Sequence, residues 1–326
     1  FAILSTAVSS FFTGTGRTRT VMWANVGATV VNIVLDYGLI FGNLGIPEMG
    51  IRGAAIATVA SSVFGVLALL WFFLDKDSRR DYQTSEAWRP DFEIFKRLMR
   101  YGVPSGINFM LDLFAFTFFI LLVGRLGERE LAATTLAFQV NTLAFFPMIG
   151  FSIATATLVG QRLGENKPYL AARSVWAAFH LTLVYMFSMA CLYILVPGVL
   201  LTPFGARANP TQFSEIREMA VIILRFVALY SVFDAMNLIF ASALKGAGDT
   251  LFVMFLSTTL GMTLMVMPAW IVCKPGGAGI YAAWTFLTLF VIVLGFSFLL
   301  RFLHGKWQYM RVINTALVEP DLDAAV

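Results

Sequence analysis

Three aspartates stand in stretches of this sequence where charge is expensive. Asp112 lies between Arg100 and Arg125, 12 and 13 residues away, with no other charged residue in the interval. At helical rise it sits about 18 Å from either end, near the midplane of a membrane-spanning helix. Ser105, Asn108 and Asp112 fall at i, i+3 and i+7 and form one polar stripe. Asp234 has Tyr230 four residues before it and Asn237 three after, again on one face. Asp36 closes a polar seam that begins at Asn25 and runs through Thr29 and Asn32. Carboxylates at membrane depth mark ion or substrate paths, because an uncompensated charge makes poor glue between helices. They bind protons, sodium or organic cations, and a phenol one turn away can help ligate a cation. Asp112 and the Tyr230–Asp234 pair are thus two candidate cation-binding positions. Asn25, Thr29 and Ser105 fit the simpler role of interhelical hydrogen bonding. Gln139 and Asn141, in LAFQVNTLAFFP, face either a cavity or a neighbouring helix.

The surrounding composition demands a bilayer. Hydrophobic residues make up 59% of the 326, and charged residues only 13%, against about 25% in soluble domains. Mean hydropathy is +0.79. The net charge of +4 would raise the question of nucleic acid in a soluble protein. Here it reflects basic loops that set membrane orientation, and no nucleic acid is expected. Cys191 and Cys273 read as packing residues. His180 and His304 stand too far apart to build a zinc or haem site, so no cofactor is expected and an embedded enzyme is disfavoured.

The carboxylates need helices to hold them, and the pattern supplies eight. Complete spans are predicted at about 20–42, 51–74, 101–124, 131–160, 171–200, 216–243, 250–273 and 279–303, after a partial one ending near Phe12. Sixteen Lys and Arg fall on one side of these spans and six on the other, which places the richer side and the C-terminus in the cytoplasm. Arg225, near a span end, reads as an interfacial anchor.

An internal repeat organises the spans. Gly14-Thr-Gly16-Arg-Thr18 recurs 232 residues later as Gly246-Ala-Gly248-Asp-Thr250. Gly50-Ile-Arg-Gly-Ala-Ala recurs as Gly279-Ile-Tyr-Ala-Ala. Parallel repeats are a transporter architecture. The register implies about 140 residues before Phe1, and an intact all-α protein of about twelve spans in two six-helix lobes. The expected division is 1–74 as the end of an N-terminal lobe and 75–100 as a cytoplasmic connector. Residues 101–304 would form the C-terminal lobe and 305–326 a cytoplasmic tail.

These segments resemble one family, the multidrug and toxic compound extrusion (MATE) transporters, over essentially the whole chain. NVGATVVNIVLDYGLIFGNLGIPEMGIRGAAIAT is similar to that family's fifth and sixth helices, and GVPSGINFMLDLF to its seventh. LAFQVNTLAFFPMIGFSIATATLVGQRLGENKP resembles the eighth helix and the loop after it. LYSVFDAMNLIFASALKGAGDT resembles the tenth, with the family's Tyr-x-x-x-Asp as Tyr230 and Asp234. The resemblance implies antiport: cationic or amphipathic compounds leave in exchange for inward Na+ or H+. In one branch Asp112, Tyr230 and Asp234 match a cation site in the C-terminal lobe. That branch commonly has Glu where Asp112 stands. In another branch Asn32, Asp36 and Thr58 match a site in the N-terminal lobe, together with an aspartate on a first helix that this chain does not include. The sequence carries parts of both patterns.

The expected protein is therefore a monomeric integral protein of a bacterial inner membrane. Its partners are small organic cations and the lipid bilayer. Asp112 and Asp234 would share one cavity, where their repulsion is relieved by the coupling ion or by a cationic substrate, so that the two compete. Tyr230 would orient one carboxylate, and Asn108 and Gln139 would complete the polar lining. The alternative is a flippase for lipid-linked saccharides of the same broad superfamily, which should carry a more basic cavity.

Overall fold

A computed structural model describes all residues except 44–46, 83, 85–90, 206–209, 275–276, 278, 311 and 313–326. The expected tail therefore lies largely outside the described residues, as do Arg89, Arg207 and Arg311. The described residues form helices and turns, with no strand among them. Eight helices are long and apolar enough to cross a membrane. The chain divides into two compact units, Phe1–Phe95 and Lys96–Val326.

The first unit holds α1 (Ala2–Gly14), α2 (Thr18–Phe41), α3 (Ile51–Phe73) and the short α4 (Lys76–Tyr82). Small residues let α2 and α3 run close together. Gly53 sits against the Leu39 backbone and Gly65 against Ala28, as expected where helix association in lipid depends on close packing rather than on expelling water. Phe11 meets Phe12, Phe73 and Tyr82 edge-on. The turn after α1 is pinned by Arg17, which donates to Ser78 Oγ at 3.2 Å and pairs with Asp81 at 3.4 Å.

The second unit begins with α5 (Phe92–Gly124), whose first turns belong to the first unit, and continues with α6 (Glu128–Gly164), α7 (Pro168–Leu195) and α8 (Pro197–Gly205). Then come α9 (Pro210–Gly246), α10 (Thr250–Leu260), a π-helical turn (Gly261–Val266), α11 (Met267–Val272) and α12 (Gly279–Leu303). The helix α9 is central and packs on α6, α7 and α12. Glycines make this possible: Gly246 abuts the Ala156 backbone of α6, and Gly295 of α12 abuts the Phe233 carbonyl of α9. Trp284 fills the middle of the core and donates its indole N–H to Thr134 Oγ1 at 3.3 Å.

The predicted span at 250–273 is not one α-helix. Pro268 has no N–H to offer the Leu264 carbonyl, and the helix widens into the π turn immediately before it. The predicted span at 171–200 also divides, at Val196, before Pro197 opens α8. The helices α5, α6 and α9 outrun the predicted spans. Charged first turns such as Glu128-Arg129-Glu130 continue the helix beyond its apolar stretch, where hydropathy gives no signal. On the loop after α6, Glu165 accepts from Arg162 at 2.8 Å and Lys167 at 3.1 Å. Those two bonds hold its carboxyl below the usual range.

Candidate functional site

Of the stripe predicted on α5, Asn108 and Asp112 are joined with Asn108 as the hub, while the Ser105 hydroxyl bonds back to the Tyr101 carbonyl at 3.0 Å. Asn108 is 1% exposed, so both ends of its amide need partners. The Nδ2 donates to Asp112 Oδ2 at 3.1 Å. The Oδ1 accepts from Lys245 Nζ at 2.7 Å. Asn108 therefore relays between a carboxylate on α5 and an ammonium on α9. The Lys245 ammonium and the Asp112 carboxylate stand beyond ion-pair distance, with Asn108 between them.

Asp112 also borders a pocket between α5 and the helix that the π turn interrupts. Ser257, Thr258, Gly261, Met262 and Met265 form its far wall, with Phe116 and Phe290 beside them. The Thr258 hydroxyl is buried there without a hydrogen-bond partner among the described residues. The Asp112 carboxylate and the Ser257 and Thr258 hydroxyls give this small pocket a polar corner beside its Phe and Met side chains.

Asp234 is 8% exposed on α9 and accepts from Asn237 Nδ2 at 3.3 Å. Tyr230, one turn earlier, is 4% exposed. Its hydroxyl accepts from Asn141 Nδ2 at 3.4 Å, and Asn141 Oδ1 accepts from the Tyr193 hydroxyl at 3.5 Å. This chain ties α6, α7 and α9 together beneath Asp234.

The two carboxylates do not share one cluster. Among the described residues, no hydrogen bond joins Asp112 to Asp234. The reason lies on α9. Asp234 and Lys245 are 11 residues apart, nearly on one face but about 16 Å along the axis, and Lys245 is the α9 residue that reaches the Asp112 relay. Nor does a hydrogen bond join Tyr230 to either carboxylate; its hydroxyl serves Asn141. Gln139 is exposed and outside both networks. Two residues of helix turn it about 200° from Asn141, so only one of the pair can face α9.

In the first unit Asp36 is half-buried, and its Oδ1 is buried without a hydrogen bond among the described residues. Such an oxygen is what a bound proton or cation satisfies. Asn32 lies one turn away and is also half-buried. Thr58 is exposed and its hydroxyl bonds back to the Ala54 carbonyl at 2.9 Å. No group of three or more His, Cys, Asp or Glu converges among the described residues.

Lys245 is one of the sixteen basic residues that the sequence places beside the spans on the richer side, and spacing gives no role to Tyr193. The signal for Lys245 was its position before the Gly-Ala-Gly turn, still in register with Asp234. Tyr193 carried only the general rule that a buried phenol needs a partner.

The MatE family model matches residues 104–271. A probable multidrug resistance protein NorM of Thermotoga maritima is 30% identical over 98% of this chain and 67% of its own length. A relative of the same description from Brucella suis is 31% identical over 72% of this chain and 51% of its own. Among solved structures, a MATE protein in the bent conformation superposes with a TM-score of 0.79 at 21% identity, covering 95% of this chain and 65% of that one. The chain thus spans about half to two thirds of the length of these proteins.

Proposed function

The chain belongs to the MatE family, whose members are transporters rather than enzymes, and from that premise we propose that it works as a cation-coupled exporter. The proposed cycle exchanges inward Na+ or H+ for an outward cationic or amphipathic compound. Asp112 supplies the charge at the pocket, with Asn108 fixing its carboxylate. Asp234 is a second, separate carboxylate that binds or releases the coupling ion, and Tyr230 steadies the helix that bears it through Asn141. Asp36, with Asn32 and Thr58, belongs to a further polar site in the first unit. The two-lobe division near 75–100, the monomeric state, the cytoplasmic C-terminus and the bacterial inner membrane are parts of the same reading.

One observation carries it above the others. The Asp112 carboxylate borders a small pocket whose remaining lining is apolar apart from the Ser257 and Thr258 hydroxyls, and it is held by a single neutral amide. Such a carboxylate attracts cations and selects against anions. The physical basis for antiport is competition: one ligand favours each access state, and whichever neutralises Asp112 excludes the other. The saccharide flippase is disfavoured by the same carboxylate.

Efflux of a fluorescent organic cation from cells expressing the protein tests the reading. Wild type should lower cell fluorescence, and Asp112→Asn at equal membrane abundance should not. Equal efflux by both would remove Asp112 from the mechanism. No efflux by either would turn attention to the flippase.

A further inference from the structure

We infer that Lys245 is a tethered positive charge that weakens the hold of Asp112 on the transported or coupling cation. This rests on the reading of Asp112 as the cation-binding carboxylate. Lys245 is half-buried at the end of α9, and its ammonium has one hydrogen-bond partner among the described residues, the neutral Asn108 Oδ1 at 2.7 Å. A lysine placed for structure alone would pair with a carboxylate or reach the interface. This one turns instead toward a buried amide whose other end holds Asp112 at 3.1 Å.

The relay has a consequence for occupancy. With Asn108 between them, the positive charge on Lys245 partly neutralises Asp112 without covering the carboxylate face that borders the pocket. An incoming cation then meets a carboxylate whose pull is already reduced, and it binds loosely enough to leave again. The device occurs once in the repeat. The position matching Lys245 in the first copy is Thr13, whose hydroxyl bonds back to the Ser9 carbonyl at 2.8 Å. The two copies therefore differ in charge at this point.

The test is equilibrium binding of tetraphenylphosphonium to the purified protein. Lys245→Met removes the charge while keeping the length of the side chain, and Lys245→Arg keeps the charge. Lys245→Met should tighten binding by about tenfold or more, the scale of one unit charge removed at short range in a partly buried site. Lys245→Arg should stay near wild type. Structural damage moves affinity the other way, so the sign separates the two explanations. Lys245→Gln, which can still donate to Asn108, serves as a second neutral variant and should tighten as Lys245→Met does. Unchanged or weaker binding in both neutral variants, with Asp112→Asn still losing affinity, overturns the role of Lys245 and leaves the Asp112 reading standing. Wild-type affinity in Asp112→Asn overturns both.

Discussion

The Tyr230 hydroxyl accepts a hydrogen bond from Asn141 Nδ2 at 3.4 Å, joining α9 to α6 one turn before Asp234. Asn141 passes the connection to Tyr193 on α7 through its Oδ1. Three helices are fastened by one amide in a place where water is not available to replace a lost partner.

Tyr230→Phe leaves the Asn141 donor without its acceptor. The expected loss of stability is about 1–2 kcal/mol, the cost of a buried polar group left unpaired. Asn141→Ala should cost about as much, and the double variant should cost less than the sum of the two. Thermal unfolding of the detergent-solubilised variants measures this; strict additivity would show that the bond contributes nothing.

The two copies of the repeat place opposite charges at one position, and these should differ in weight. Asp249 pairs with Arg301 at 2.8 Å, with side chains 10% and 22% exposed. Its counterpart Arg17 pairs with Asp81 at 3.4 Å, with side chains 35% and 40% exposed. Asp249→Ala strands a largely buried guanidinium and should cost about 3 kcal/mol. Arg17→Ala breaks a screened pair and should cost less than about 1 kcal/mol. Melting curves for the two variants should separate clearly, and equal losses would contradict the argument from burial.

Asp36 presents the converse case, because its buried oxygen lacks a hydrogen bond among the described residues. Replacing it by Leu removes that burden, and the variant should melt higher, by about 1 kcal/mol in stability. A carboxylate retained at such a cost fits a ligand-binding role. If Asp36→Leu destabilises the protein, the aspartate is a packing residue instead.

Much of this was legible because membrane spans announce themselves by length and hydropathy. Every predicted complete span contains a helix, and the stripe of Asn108 and Asp112 emerged from spacing alone. What stayed hidden depends on neighbours or on helix ends. Lys245 looked like a loop charge because hydropathy cannot tell the last turn of a helix from the turn beyond it. Gln139 and Asn141 are equally polar, and only the packing of α6 on α9 selects Asn141. The separation of Asp112 from Asp234 depends on where α5 meets α9 along its length, which periodicity on either helix leaves undetermined. The π turn before Pro268 required knowing that the helix continues past the proline.

The most direct test of the account is transport in proteoliposomes under an imposed gradient. An inward Na+ gradient and an inward H+ gradient are applied separately, and movement of tetraphenylphosphonium is followed in wild type and Asp112→Asn. The account predicts that at least one gradient drives export by wild type and neither does so for Asp112→Asn. Gradient-driven export by Asp112→Asn at the wild-type rate would contradict it.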